Sequence, residues 1–465
     1  MRSSLQDKQQ RITSVDSSAL LYRAADQRLR ILLLADDAHP ADAVIDHIQA
    51  IQRQSQHDVT VVNPITFRYG FLLRALRFDV VIIHYSICVL YDSYLPAPIA
   101  AALKEFQGPK IQIIQDEYRW IDRMTRRMSE LGVGAVFSSL SVENISRVYH
   151  HEHLSSVRFV SGLPGYVSPR LHRVVPQPLA ERVYDLVYRG RPVPIWLGKS
   201  GQEKTQIGLQ AQAMAKKYDL NVNCATSEKD RVYGLQWNEL LMMGRAALAT
   251  QGGATVFDFD ESVERNVERF RHENPNASDD EVWDAVVKPL EGSIVHKTIT
   301  PRVLEAVMCR TALVMYPGEY RGLLRPWEHY IPLERNGSNE AEVVDMLRDN
   351  GRLEELVERA YRRVADDPAL QFSRYVGAVD GIANALYEEM RARHVDVVSV
   401  RSYINGAPVR LILKAGERWV IKFNEFYAWC RSFRVVGSPA ALVRQKYSLY
   451  IKPILGPVVR RLVKR

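Results

Sequence analysis

Residues 293–333 read SIVHKTITPRVLEAVMCRTALVMYPGEYRGLLRPWEHYIPL, and this stretch says most about the fold. A helix is predicted to begin at Thr300 and Pro301, because a threonine hydroxyl can cap a helix and proline suits its first position. Apolar residues then recur at helical spacing and leave Glu305 outside their stripe, one turn inside the helix. The apolar run Thr311–Tyr316 predicts a buried strand after it. This order is typical of an α/β protein with a parallel sheet.

The start of this helix also predicts a ligand. Free backbone N–H groups at a helix start attract phosphate, so Thr300 and Arg302 are candidate binding residues. The Glu305 carboxylate can accept two hydroxyl hydrogen bonds, as a ribose offers. Glu319, in the loop Pro317–Gly322, is a candidate acceptor for sugar hydroxyls, with a plain turn as the alternative. These groups predict a site for a nucleotide sugar.

The stretch resembles the second half of the donor site in glycosyltransferases of the two-Rossmann-domain type, called GT-B. In that family a helix carries a Glu that holds the nucleotide ribose, and a strand follows. The resemblance implies that Glu305 has this role. The family's usual first Glu, in a Glu-Gly-Phe-Gly-like loop, has no counterpart, because Ile294–Lys297 occupy its place.

The composition is that of a soluble globular protein with two domains. The chain has 465 residues, of which 46% are hydrophobic and 25% charged. No apolar run reaches the roughly 18 residues of a spanning helix, and the amino-terminal segment lacks the apolar core of a secretory signal. The 4 cysteines lie far apart in sequence, which favours reduced thiols in the cytoplasm over disulfides or a metal site.

The basic residues are concentrated at the carboxyl end. Residues 431–465 contain nine Lys and Arg residues and no Asp or Glu. Because nine exceeds the net charge of +8, the rest of the chain is close to neutral, and we expect no nucleic-acid partner. The segment 446–465 mixes apolar and basic residues, which favours contact with the anionic inner face of the plasma membrane. A disordered basic tail is the alternative.

Short apolar runs alternate with helix-length segments along most of the chain, which predicts two doubly wound parallel sheets. The Pro- and Gly-rich segment 161–181 interrupts the alternation and predicts a hinge. We expect two Rossmann-like domains that face a cleft, with ligands at the carboxyl ends of the strands. The predicted units are a polar segment 1–29, an acceptor domain 30–165, a donor domain 183–395 with a helical insertion 261–290, and a basic extension 396–465.

Three basic residues open the second domain: Arg189, Arg191 and Lys204. A nucleotide-sugar diphosphate is an anion that fixed Arg and Lys side chains neutralise. GT-B enzymes often place an Arg and a Lys here against the diphosphate, so the resemblance implies this role. The alternative is a solvated loop with ordinary surface charges. The segment 198–205 is not a P-loop, because its glycine spacing fails.

Two further motifs follow a short predicted strand. Gly252 and Gly253 let a backbone approach a phosphate or sugar closely, with a tight strand–helix turn as the alternative. Asp258 and Asp260 have the Asp-x-Asp spacing of metal sites in glycosyltransferases with the other large fold. Capping of the following helix is the alternative, and we expect neither a metal nor another cofactor.

Transfer to a hydroxyl group requires a base that takes its proton. His84 ends one predicted strand, and Asp116 and Glu117 end the next. All three are therefore expected at the rim of the cleft as candidate bases. Neighbouring residues of an extended segment point in opposite directions, so only one of the two carboxylates can face the acceptor. The alternatives are a satisfied core histidine and carboxylates that cap the next helix.

The resemblance implies a metal-independent glycosyltransferase with a nucleotide-sugar donor and a glycan or lipid-linked acceptor. We expect a role in bacterial cell-surface polysaccharide biosynthesis, in the cytoplasm or at the inner face of the plasma membrane. The absent first Glu and the pair Gln251-Gly252 leave an alternative open. In that alternative the chain is a catalytically inactive scaffold that binds a nucleotide sugar within a glycan assembly complex.

Overall fold

The computed structural model describes residues 12–15, 27–66 and 78–393. The predicted helix around Phe71–Leu76 and the basic extension 396–465 lie outside these residues. Two parallel sheets are present, so the predicted fold class of two Rossmann-like domains is confirmed. None of the described helices is long and apolar enough to span a bilayer.

The first sheet contains seven parallel strands. They are β1 (Ile12–Ser14), β2 (Arg30–Leu34), β3 (Asp58–Val62), β4 (Val80–Ile83), β5 (Lys110–Ile113), β6 (Ala135–Ser138) and β7 (Arg158–Ser161). Their order in the sheet is β1-β7-β6-β5-β4-β2-β3. β1 was not expected, because it lies in the segment predicted to be loose, and it extends the edge of the sheet by pairing with β7.

Helices cover both faces of this sheet. They are α1 (Asp42–Gln54), α2 (Ala97–Glu105), α3 (Ile121–Leu131) and α4 (Val142–Val148). Leu32 and Leu34 of β2 pack with α2, α3 and α4 on one face, and Ile31 and Leu33 pack with α1 on the other. A central parallel strand is buried on both faces, which explains why its sequence is a continuous apolar run.

The second domain contains β8 (Tyr184–Arg189), β9 (Val222–Ala225), β10 (Gly244–Ala249), β11 (Gly252–Ala254), β12 (His296–Thr298), β13 (Ala312–Met315) and β14 (Ile331–Pro332). Five of these strands form a parallel sheet in the order β14-β13-β10-β8-β9. β11 and β12 form a separate antiparallel pair. The apolar run Val193–Leu197 has the length of a strand and suggests one by its sequence, but Ile195–Leu197 is a short 3-10 helix, because Pro192 and Pro194 lack the N–H groups of a strand.

The remaining helices are α5 (Lys199–Tyr218), α6 (Gly234–Met243), α7 (Ser262–Glu273), α8 (Asp279–Val282), α9 (Pro301–Met308), α10 (Glu340–Arg348), α11 (Asn350–Ala365) and α12 (Phe372–Ala392). One assignment within the predicted donor domain was wrong. α12 belongs to the core of the first sheet, where Phe372, Tyr375 and Val379 pack against Ile31 and Leu33. Its apolar stripe fits the face that α1 leaves uncovered, and sequence position alone could not show this.

The helical insertion of the second domain contacts the first domain at the carboxyl end of β5. The backbone N–H of Asp258 donates to the carbonyl of Tyr118 (2.9 Å), and the N–H of Asp122 donates to the carbonyl of Phe259 (2.9 Å). Beside these bonds, the Arg119 guanidinium group donates two hydrogen bonds to the Glu264 carboxylate, at 2.6 and 3.0 Å. The two domains are thus joined along one side of the cleft by backbone bonds and an ion pair.

Candidate functional site

A cluster of cations lies where the second domain faces the first. Lys204 of α5 is half-buried, and burial lowers the pKa of its ammonium group. The guanidinium groups of Arg302 and Arg191 are close enough to lower the pKa of Lys204 further, whereas the carboxylate of Asp116 raises it. Three cations of the second domain and one carboxylate of the first domain therefore share one electrostatic environment.

Arg302 links the members of this cluster. It stands in the first turn of α9, donates to the backbone carbonyl of Arg189, and lies 5.2 Å from the ring centroid of Trp237. Within residues 27–66 and 78–393, neither Arg191, Lys204 nor Arg302 forms an ion pair with a carboxylate. Because like charges repel one another, a group of cations without an ion-paired carboxylate is suited to binding an anion.

Arg189 has a different position from the one expected. Its guanidinium group donates to the backbone carbonyls of Tyr188 and Asn223, at 2.8 and 2.9 Å, and to the Asn223 side chain at 2.8 Å. The side chain therefore braces the end of β8 against β9 and is already committed to protein acceptors. The contact of this guanidinium with a diphosphate stays a prediction, and the backbone carbonyl of Arg189 accepts a hydrogen bond from Arg302.

Glu305 lies on α9, one turn after Arg302. Its Oε2 atom accepts a hydrogen bond from the indole Nε1–H of Trp237 at 2.7 Å. Burial raises the pKa of Glu305, while Trp237 and Arg302 oppose that rise. The same Arg302 therefore acts on both Lys204 and Glu305, which brings the predicted diphosphate and ribose groups into one site. Trp237 was missed because an indole in an apolar helix such as α6 looks like an ordinary core residue.

The amino-terminal end of α9 does not have the expected cap. Thr300 is at the N-cap position, but its side chain makes no capping hydrogen bond. Its methyl group instead lies against Gly252, where an added Cβ atom would be 2.8 Å away. The predicted capping hydroxyl was wrong, since close packing against the glycine pair determines the orientation of this threonine.

The two glycines are explained by packing within the protein. Gly253 has φ +114°, and a Cβ atom there would lie 2.1 Å from the carbonyl oxygen of His296 in the paired strand β12. A side chain at either position would thus clash with a neighbouring segment of the same domain. The two glycines lie in strand β11 and not in the tight strand–helix turn of the alternative, and their contact with a ligand stays a prediction.

Asp258 and Asp260 cap helix α7. The Asp258 carboxylate accepts from the backbone N–H groups of Val263 (3.3 Å) and Glu264 (3.1 Å), and Asp260 accepts from Ser262 (3.0 Å). Carboxylates at the amino-terminal end of a helix satisfy its free donors and oppose its dipole. The capping alternative for the Asp-x-Asp motif therefore describes this segment.

Asp116 is the candidate base that is exposed in the cleft. It follows β5 in a left-handed backbone conformation with φ 58°, and its carboxylate accepts a hydrogen bond from the Tyr118 hydroxyl at 2.9 Å. A non-glycine residue in this region is uncommon and is often found at a functional site. The combination gives Asp116 a fixed orientation and a place opposite Lys204.

Glu117 and His84 are in the interior, so their expected place at the cleft rim was wrong. The Glu117 carboxylate is buried and accepts from the hydroxyls of Ser138 (2.7 Å), Ser139 (3.0 Å) and Tyr149 (2.6 Å), and from the Ser139 N–H (2.7 Å). His84 is fully buried and bonds to Ser86 and His47 through its two ring nitrogens. The core-histidine alternative describes His84, because burial lowers its pKa well below the usual value.

Glu319 is exposed in the loop after β13, and within the described residues its side chain forms neither a hydrogen bond nor an ion pair. Beside the loop, Arg335 bonds to Glu203 at 2.8 Å and to the carbonyl of Pro317 at 3.2 Å. An open cavity of about 350 Å³ adjoins this point and is lined by Gln206, Gln210, Tyr316, Arg335, Asn336, Gly337 and Glu340. Arg191, Lys204, Arg302 and Glu319 are not among its lining residues, so a contact of Glu319 with a donor sugar stays a prediction.

No protein-family profile and no curated protein matches the chain. Among solved structures, similarity is found to an alpha-glucosyltransferase in complex with UDP and a 13-mer DNA, with TM-score 0.46, 11% identity, and coverage of 77% of this chain and 100% of that one. For the DNA-modifying enzyme beta-glucosyltransferase the TM-score is 0.43 and the identity 12%, with coverage of 78% of this chain and 99% of that one. For TarM the TM-score is 0.37 and the identity 9%, with coverage of 68% of this chain and 57% of that one. Two of these structures are described as glucosyltransferases, and the likeness of this chain to them is one of structure alone. At these TM-scores it carries no residue role.

One expectation about partners was wrong. We expected no nucleic-acid partner from the near-neutral charge of the chain without its tail. Similar solved structures include complexes with DNA, among them one with a central A:G mismatch and one with an abasic site. The expectation that the chain has no nucleic-acid partner, which was based on net charge alone, is therefore withdrawn.

Proposed function

We propose that this chain is a glycosyltransferase that transfers a sugar from a nucleotide-sugar donor to an acceptor hydroxyl group. Two observations support the proposal: Arg191, Lys204 and Arg302 have no ion-paired carboxylate among the described residues, and the pKa of Lys204 responds to Asp116 of the first domain as well as to the two arginines. A nucleoside diphosphate has the charge to bind this cluster, and its ribose can bond to Glu305, which lies one turn after Arg302 on α9.

The proposed reaction is a direct displacement at the anomeric carbon. Asp116 takes the proton of the acceptor hydroxyl while the acceptor oxygen forms its bond to that carbon. The bond between the carbon and the diphosphate oxygen breaks, and the diphosphate leaves with the electron pair. Lys204 and the two arginines stabilise the charge that develops on it, so side-chain cations supply the positive charge and the proposed reaction is metal-independent.

The acceptor and pathway belong to the same proposal at a finer level. We propose a glycan or lipid-linked acceptor of bacterial cell-surface polysaccharide biosynthesis, and a place for the enzyme at the inner face of the plasma membrane. The membrane contact was predicted from the basic segment 446–465, which lies outside the described residues. A vesicle-binding comparison of the full chain with a chain that ends at residue 395 would test this location.

Release of nucleoside diphosphate from a panel of UDP-, GDP- and dTDP-sugars tests the catalytic proposal. We expect the wild-type chain to turn over at least one donor, and Asp116→Asn to lower that turnover by about 10²-fold or more, because it removes the base. Diphosphate affinity should change little in this variant. Glu143→Gln, which alters an exposed carboxylate on α4, is the control and should retain full turnover.

Two results would contradict the proposal. Equal turnover by wild type and Asp116→Asn would remove the base from its assigned position. Binding of a nucleoside diphosphate without turnover of any donor, across a broad set of acceptors, would favour the inactive scaffold instead.

A further inference from the structure

Two loops of the first domain bring aromatic side chains to the surface beside the cleft. Tyr91 and Tyr94, in the loop after β4, are each 39% exposed. Trp120, in the loop after β5, is half-buried, and its ring centroid lies 5.4 Å from that of Tyr91 in an edge-on arrangement. The two tyrosine rings are 6.5 Å apart. The three rings form one continuous surface, which we call the aromatic platform.

Trp120 has an unusual backbone conformation, and contacts of its neighbour Arg119 hold its side chain in the platform. Trp120 has φ 54° and ψ 39°, a left-handed conformation that is rare for a bulky side chain. Arg119 holds the indole in place, since its guanidinium carbon is 3.7 Å from the ring centroid and its nitrogens bond to Glu264 of the second domain. Strain of this kind persists where the surrounding structure over-determines it, and it is concentrated at functional sites.

The platform borders the proposed reaction site. Trp120 is in the same loop as Asp116, and Tyr118 between them bonds to Asp116. Arg119 also lies 5.2 Å from the ring centroid of Trp196, which belongs to the second domain. A molecule resting on the platform would therefore be held at the junction of the two domains, next to the candidate base.

We propose that Tyr91, Tyr94 and Trp120 are an acceptor-binding surface that stacks a neutral pyranose ring. This inference rests on the proposed function and names the chemical class of its acceptor. A pyranose has an apolar C–H face that packs on an aromatic ring, and hydroxyl groups around its edge that can bond to tyrosine hydroxyls. Exposed tyrosine and tryptophan rings offer both properties at little cost in side-chain entropy.

The charges around the platform favour a sugar over a nucleic acid. The two arginines nearest to Trp120 are both ion-paired: Arg119 with Glu264 at 2.6 Å and Arg123 with Glu261 at 3.7 Å. A phosphate backbone binds through cations that are free to neutralise it, with an affinity that depends steeply on salt. Aromatic rings with balanced charges beside them match a neutral ligand better.

Saturation-transfer NMR on the full chain tests the proposal, with methyl glycosides of glucose, galactose, mannose and N-acetylglucosamine as probes. We expect saturation transfer to the ring protons of at least one glycoside. Tyr91→Ala and Tyr94→Ala should each weaken that binding about threefold or more, and Tyr91→Phe should retain most of it because the ring is kept. Trp327→Ala, at a 37% exposed tryptophan of the second domain, is the matched control and should bind as wild type.

Each remaining result has a defined meaning. No transfer to any glycoside, or equal binding by wild type and both alanine variants, would overturn the platform. A single-stranded oligonucleotide that binds wild type and loses affinity in the same variants would assign the rings to nucleic acid and overturn the sugar proposal. If glycosides bind the platform but no nucleoside diphosphate binds the chain, the proposed function fails while the platform stands.

Discussion

Glu117 follows a strand end, a position at which the sequence predicts a catalytic base. Its buried hydrogen bonds show instead that it stabilises the fold. Four donors satisfy its two oxygens, and they come from β6, from the segment that follows it and from the end of α4. Burial raises the pKa of Glu117, and the four hydrogen bonds oppose that rise. The residue ties β5, β6 and α4 together beneath the loop that carries Asp116.

Replacing Glu117 should therefore destabilise the fold. We expect Glu117→Ala to lower the free energy of unfolding by about 2–4 kcal/mol, because it leaves buried donors without an acceptor. Urea denaturation measures this directly. Asp116→Ala, at the exposed neighbour, should change the free energy of unfolding by less than about 1 kcal/mol. Equal stability of Glu117→Ala and wild type would show that these hydrogen bonds contribute nothing to the fold.

Glu305 combines a structural contact with a proposed binding role, and one substitution separates them. Glu305→Gln keeps an oxygen that can accept the Trp237 N–H bond but removes the charge. Since burial raises the pKa of Glu305, ionisation of this carboxyl costs stability as the pH rises above its ordinary pKa. The variant should thus be at least as stable as wild type at neutral pH.

The same variant should bind a nucleoside diphosphate about tenfold more weakly, because the ribose hydroxyls lose a charged acceptor. Isothermal titration calorimetry with UDP and GDP provides the measurement, and thermal unfolding provides the stability control. Unchanged affinity in Glu305→Gln would leave Glu305 with its contact to Trp237 alone and would remove the ribose from the proposed site.

Helix α9 and strand β13 are predictable from sequence because their determinants are local. Pro301 at the first helical position, an apolar stripe and a following apolar run specify both elements within a short segment. The segment 193–197 misled for the same local reason: its apolar residues suggested a strand, whereas the prolines around them exclude one. The fold class follows from many such local patterns and does not depend on any single boundary.

Elements that depend on distant partners were beyond sequence reasoning. α12 packs on the first sheet although it follows the second domain in sequence. The glycines of β11 are required by β12, which is separated from them by the whole helical insertion. A sequence pattern shows that a helix has an apolar face, but it does not show which sheet this face packs against. It shows a pair of glycines, but it does not show which strand lies too close for a side chain.

Assembly of the candidate site required the coordinates for the same reason. Lys204 and Glu305 were predicted individually, and the structure brings them together through Arg302, whose guanidinium is held by the carbonyl of Arg189. Glu117 has a residue type that the chemistry needs, and only its burial and its hydrogen bonds show that it is committed elsewhere. Residue type and spacing predict candidate site residues, whereas the direction and the contacts of each side chain show which of them are accessible to a ligand.

The contacts between domains complete this picture. Backbone bonds from Asp258 and Asp122, with the ion pair of Arg119 and Glu264, join the helical insertion to the first domain. The proposed site combines Asp116 of the first domain with Lys204 of the second, so it requires both domains. Inter-domain interfaces of this kind are usually modest in area and permit relative motion, which suits a site that must admit a donor and release a diphosphate.

Calorimetric titration of the full chain with UDP, GDP and dTDP is the most direct test of the central claim, which is that the cation cluster binds a nucleoside diphosphate. The account predicts that wild type binds at least one of the three and that Lys204→Met weakens this binding about tenfold or more. Lys217→Met, which removes an exposed ammonium group from the same helix, should bind as wild type. Equal affinity in Lys204→Met and wild type, or no binding of any diphosphate, would contradict the account.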